Sequence, residues 1–198
     1  MTEPKKRVAI LISGRGSNMS ALIEAARSPD YPAQVVGVFS NQPDAPGLKV
    51  AGAHGIATAW RWHKDYPSRT GFELALSDVL KLWRPDIIAL AGFMRILTPE
   101  FTQKWKGRII NIHPSLLPAY RGLDTHSRAL ADRVTEHGCT VHFVSPGVDE
   151  GPTILQARVP VLPGDTAETL ADRVLAEEHR IYPEALALVA RGAATYTG

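Results

Sequence analysis

Asn111 and His113 stand two residues apart at the end of an apolar run that Pro114 closes. Side chains alternate along a strand, so both would project from one face at its carboxyl edge. Ligands of open α/β sheets collect at that edge. An amide and an imidazole aimed at one point suit acyl-type chemistry: the amide N–H groups can stabilise an oxyanion, and the ring can carry a proton or stand as imidazolium. A carboxylate is then wanted to orient and charge the ring. Asp149, in the loop Pro146-Gly147-Val148-Asp149-Glu150-Gly151-Pro152, is the candidate. Taken singly, His113 also reads as a satisfied structural histidine and Asp149 as a turn residue. His54, His63, His126, His137, His142 and His179 have weaker claims. No histidine spacing suggests a metal site, so none is expected. G-x-S-x-G, the nucleophile elbow, is absent as well.

A second constellation lies near the start. The apolar run Val8–Ile12 breaks into Ser13-Gly14-Arg15-Gly16-Ser17-Asn18, and Met19, Leu22, Ile23 and Ala26 then recur with helical spacing. Strand, glycine turn and helix make an anion-binding geometry, because free N–H groups and the helix dipole point at the turn. Gly14 and Gly16 begin a dinucleotide fingerprint, but Met19 occupies the third glycine position and no acid follows the second strand. A single-phosphate loop remains, with Gly16, Ser17 and Asn18 as donors. A plain glycine turn with Ser17 or Asn18 as N-cap is the equal alternative. Glu178 falls on an apolar helical stripe with Val174, Leu175, Ile181 and Tyr182, and a carboxylate there needs a partner: a substrate amine, or a buried ion pair.

The elements that must position these groups are legible from periodicity. Further strands are expected at Val35–Phe39, Ile87–Ala91, Arg108–Ile112, Thr140–Ser145 and Thr153–Val161. A helix carries Phe72, Leu76, Val79, Leu80 and Trp83 and ends at Pro85; a last one runs from near Thr166 to about Val189, with Pro183 as a possible kink site. The expectation is α/β: a single doubly wound, mostly parallel sheet with helices on both faces, Rossmann-like, one domain over residues 1–198. A net charge of +2 over 198 residues gives no basic face for nucleic acid. Lys5, Lys6 and Arg7 read as a solvated flank. One cysteine, Cys139, excludes an intrachain disulfide and sits in an apolar run as a core residue. No stretch is long enough for a membrane span and no signal peptide is visible, so a soluble cytoplasmic protein is expected.

Together, Ser13–Asn18, Ala91-Gly92-Phe93-Met94-Arg95-Ile96-Leu97, Asn111-Ile112-His113-Pro114-Ser115-Leu116-Leu117-Pro118 and Glu177-Glu178-His179-Arg180-Ile181-Tyr182-Pro183 closely resemble the folate-dependent phosphoribosylglycinamide formyltransferases of purine biosynthesis. The resemblance spans nearly the whole chain in order. It implies Asn111, His113 and Asp149 as the catalytic trio, with Asp149 raising the His113 pKa. It implies Gly16, Ser17 and Asn18 on the ribonucleotide phosphate, and Glu178 near the substrate amine. Met94, Arg95, Ile96, Leu97 and Asn111 would meet 10-formyltetrahydrofolate as co-substrate, and Arg69 matches a basic residue of the same site. Arg15, and Arg121-Gly122-Leu123-Asp124 after the proline loop, depart from the pattern. The implied partners are small molecules, with the protein a monomer or homodimer. Two rivals remain: a formyltetrahydrofolate hydrolase, usually with an added N-terminal domain, and a non-catalytic nucleotide-binding module.

Overall fold

The computed structural model describes residues 4–197. In chain order it contains β1 (Lys6–Ile12), α1 (Ser17–Ala26), β2 (Ala33–Ser40), α2 (Pro46–Ala53), β3 (Thr58–Trp60), a 3-10 turn (His63–Asp65), α3 (Arg69–Trp83), β4 (Ile87–Leu90) and α4 (Pro99–Lys104). β5 (Ile109–His113), α5 (Thr125–Ala131), β6 (Glu136–Phe143), β7 (Thr153–Pro160) and α6 (Ala167–Ala190) follow. All seven strands form one sheet in the order β3-β2-β1-β4-β5-β6-β7. The pairs from β3 to β5 are parallel; β6 and β7 are added antiparallel.

β1 shows why the sheet is covered on both faces. Val8, Ile10 and Ile12 join one core with Leu22 and Ile23 of α1 and Val174, Ile181 and Tyr182 of α6. Ala9 and Leu11, on the opposite face, join a second core with Phe72, Leu76 and Leu80 of α3 and Phe101 of α4. A strand buried on both sides must be apolar at every position, as Val8–Ile12 is. Arg7 belongs to this strand and is not a solvated flank: its guanidinium donates to the carbonyls of Trp83 (2.6 Å) and Arg84 (3.1 Å), closing the carboxyl end of α3.

α6 starts from a Thr166 N-cap with a Thr169 capping box and continues through Pro183. Tyr182, fully buried, donates its hydroxyl to the carbonyl of Leu90 at 2.8 Å, tying α6 to the end of β4. Cys139 is in the core, where burial pushes its thiol up to about 12. From β1 the chain moves outward to β2 on one side, while β4 lies on the other. The carboxyl ends of β1 and β4 therefore open a crevice at the point where strand order reverses, the ligand position of doubly wound sheets.

Candidate active site

The loop after β1 is one wall of that crevice. Gly16 is the residue before α1 and adopts φ 74°, ψ 38°, a left-handed conformation natural to glycine. No side chain caps the helix, and the N–H of Ser20 is the one that bonds back to the Gly16 carbonyl, at 2.9 Å. The amides of Ser17, Asn18 and Met19 thus precede the first intrahelical bond and are free to meet an anion. This decides against Ser17 or Asn18 as an N-cap. Ser13–Asn18, Ala91, Gly92 and Met94 enclose a cavity of about 250 Å³. Gly47, at the start of α2, backs the loop by donating its N–H to the Gly14 carbonyl at 3.1 Å; a Cβ there would lie 2.5 Å from the Ile12 side chain.

Asn18 turns its side chain away from the loop. Its Nδ2 donates to Glu178 Oε2 at 2.6 Å, while its buried Oδ1 has no partner. Glu178 therefore finds an amide from α1, and not a cation, as its protein partner. Burial pushes the Glu178 carboxyl above its ordinary value, with the Asn18 bond opposing.

Asn111 and His113, on β5, both line a larger cleft of about 760 Å³. His113 Nε2 donates to the Tyr120 carbonyl at 2.9 Å, which directs Nδ1 toward Asp149 Oδ2, 3.4 Å away. Asp149 reaches this position from the loop between β6 and β7, with a left-handed φ of 52°. A non-glycine residue there is uncommon and is held by its surroundings. Gly122 N–H donates to Asp149 Oδ2 at 2.9 Å, and an Arg121–Glu150 ion pair of 2.9 Å joins the same two loops. Arg121–Asp124, the stretch that departs from the pattern in sequence, is thus part of the clamp on Asp149.

The electrostatics gives Asp149 the expected upward pull on His113 and sets a larger opposing cause beside it. Burial pulls the His113 imidazole below its ordinary value and outweighs the upward pull of the Tyr120 carbonyl and of Asp149. The charge of Asp149 acts in the anticipated direction, but burial outweighs it. For Asp149, burial works upward, and the nearby His142 ring, Gly122 N–H and His113 together hold the carboxyl below its ordinary value. Asp149 faces the bare Nδ1, so a proton on that nitrogen would gain an opposite charge 3.4 Å away, which partly offsets the cost of burial.

The third wall is 92–97, the segment after β4, and it is pinned at both ends. Met94 N–H donates to Ser13 Oγ at 2.8 Å, and Ser13 Oγ donates to Asn41 Oδ1 at 2.5 Å. Beyond Leu97, the buried carboxylate of Glu73 accepts from both the N–H (2.7 Å) and the hydroxyl of Thr98. Met94 and Ile96 are exposed apolar residues on this wall. Because the Met94 N–H is already used, the backbone of 95–97 is what a planar polar ligand can meet.

Met94, Arg95, Ile96, Leu97, Asn111, His113, Asp149, Glu178 and Asn18 all line the cleft, and Asn18, Gly92 and Met94 also line the loop cavity, so the two spaces are neighbours that share these residues. Arg69 is not brought there: it is the first residue of α3, exposed, and absent from the lining of both spaces. From sequence, the carbonyl of Tyr120 and the side chain of Glu73 are not singled out, His142 has only a weaker claim, and Ser13 belongs to the glycine loop without the role it has here. Apart from Tyr120, seven positions from His113, each depends on a long-range pairing that no local pattern announces; His142, for example, faces Asn111 across β5 and β6.

The formyl transferase family model matches residues 6–186. The chain is 52% identical to the trifunctional purine biosynthetic protein adenosine-3 of Bos taurus, over 96% of this chain but 19% of that protein. It therefore spans about a fifth of that relative's length. It is 45% identical to the phosphoribosylglycinamide formyltransferase of Escherichia coli K12, over 93% of this chain and 87% of the relative. The crystal structure of the phosphoribosylglycinamide formyltransferase from Brucella melitensis superposes with a TM-score of 0.91 at 53% identity, covering 98% of this chain and all of the other. With the glycine-loop cavity and the neighbouring amide–imidazole–carboxylate cleft in place, and a match across nearly its whole length, the chain belongs to the formyl transferase family.

Proposed function

We propose that this protein transfers the formyl group of 10-formyltetrahydrofolate to the amine of N1-(5-phospho-D-ribosyl)glycinamide, acting in purine biosynthesis as a phosphoribosylglycinamide formyltransferase, with residues 1–198 as one catalytic domain. The observation that carries the reading is the adjacency of the loop cavity and the trio cleft, which share Asn18, Gly92 and Met94 as lining residues. A phosphate seated on the amides of Gly16–Asn18 sends the rest of the ribonucleotide toward Glu178 and His113. The pterin lies against 94–97, so the formyl carbon approaches Asn111.

The amine attacks the formyl carbon and forms a tetrahedral intermediate with a negative oxygen. An Asn111 N–H donates to that oxygen, and the positive charge of a protonated His113 ring, its Nδ1 proton facing Asp149, favours it; one such oxyanion donor is typically worth about 3 kcal/mol. As the C–N10 bond breaks, the substrate nitrogen loses one proton and folate N10 gains one. No net proton is consumed, and His113, with Asp149 behind Nδ1, serves as carrier. Holding both reactants in register lowers the barrier further. A cytoplasmic setting agrees with the single buried thiol.

The test is turnover with both substrates, followed by absorbance as tetrahydrofolate appears, with formate measured in parallel. Product formation that requires the ribonucleotide supports the reading. Formate release at the same rate without it makes the protein a hydrolase and overturns it.

A further inference from the structure

His142 lies on β6 directly opposite Asn111 of β5, next to an irregularity in the β6–β7 pairing that falls between Val141 and His142. The ring is almost fully buried. Its Nδ1 is 2.9 Å from the Phe143 carbonyl, which can only accept, so Nδ1 carries the proton. In the neutral ring Nε2 is then a bare acceptor, and it lies 3.2 Å from Asn111 Nδ2. Asp149 Oδ1 lies 3.6 Å from the same nitrogen, farther than Asn111 Nδ2, and is the competing partner that a proton on Nε2 would find. An asparagine amide can present either its oxygen or its NH2 to a given neighbour, and the two choices have opposite chemical meaning. With the oxygen toward the reacting centre, Asn111 would repel a developing oxyanion.

We infer that His142 is a positioning residue for the proposed transfer: its bare Nε2 accepts one N–H of Asn111 and so fixes the amide with its second N–H available to the formyl oxygen. This rests on the formyl-transfer reading. In this reading His142 acts through Asn111. A ring protonated on both nitrogens would give its Nε2–H to Asp149 and force the Asn111 oxygen to face it, turning the oxyanion donor away.

The experiment is a double-mutant cycle on the full chain with both substrates. His142→Phe keeps a buried ring without an acceptor and is expected to lower kcat about 10- to 100-fold, part of what losing one oxyanion donor costs. KM for both substrates is expected to stay within about threefold, and His142→Gln, whose amide oxygen can replace Nε2, to recover most of the rate. Added to Asn111→Ala, His142→Phe should cost almost nothing more, because the group it orients is gone. A multiplied loss in the double variant, or wild-type kcat in H142F, overturns the inference while leaving formyl transfer intact. Undiminished kcat in N111A overturns both. Should H142F not fold, 15N spectra of the histidine-labelled native protein decide: an Nδ1–H, bare-Nε2 ring is expected for His142, and a proton on Nε2 contradicts the inference.

Discussion

The two halves of the crevice are built on different principles. The loop at Gly16–Asn18 offers main-chain N–H groups at the start of α1, and its geometry follows from a left-handed glycine and an uncapped helix. The cleft around His113 is made of side chains from β5 and the β6–β7 loop, held by contacts between residues 27 to 36 positions apart, such as Gly122–Asp149 and His113–Asp149. The backbone half carries one charged side chain, that of Arg15, among its lining residues; the side-chain half is surrounded by histidines and carboxylates. The first should bind and the second should react.

That division can be broken by mutation. The largest effect is expected at His113→Ala, where loss of the proton carrier should lower kcat by about 10³-fold, within the usual range for general acid–base groups, while the fold survives. Asn111→Ala comes next, with a kcat loss of about 10²-fold. If either change acted mainly on KM for the ribonucleotide, the two halves would not be separate. Gly16→Val is the converse. A side chain at φ 74° is strained, and its Cβ would press 3.0 Å from the Met19 methyl. KM for the ribonucleotide should rise roughly tenfold, about one charge-assisted hydrogen bond, with kcat little changed.

Stability should also divide along this line as pH falls. Burial lowers the pKa of His113, His126 and His137, the last to about 4. The unfolded rings take up protons near 6.5 while the folded ones do not, so stability is fullest above that value and falls as pH drops toward 4. Asp149, held low, adds stability that disappears only at still lower pH, below its ordinary value of 3.8. Thermal midpoints measured from pH 7 to 4 should decline, roughly 3 °C per kcal/mol in a chain of this size, and His137→Phe should flatten the decline. The smallest effect is expected at Arg69→Ala: an exposed residue off the cleft should change KM for the formylfolate by no more than about threefold.

The same contrast explains what could be read in advance. Long periodic elements were visible: α3 from its Phe72-to-Trp83 stripe, α6 with its Thr166 start, and the doubly buried β1. α2, β3, α4 and α5 were not. α2 buries only Gly47 and Ala51, β3 has three residues at the sheet edge, and α4 has six, too few to display a period. At the site, the types and spacing of Asn111, His113 and Gly14–Asn18 were legible because each motif is local. The partners were not. That Asn18 serves Glu178 from 160 residues away, that Tyr120 lends only its carbonyl, and that Ser13 braces Met94 are products of folding.

The most direct measurement is a crystal structure with glycinamide ribonucleotide and a non-reactive formylfolate analogue bound together. The account predicts the phosphate on the N–H groups at the start of α1, and the amine roughly 3–3.5 Å from the carbon that replaces the formyl group, between Asn111 and His113. A phosphate bound elsewhere, or an amine directed away from the His113–Asp149 pair, would contradict it.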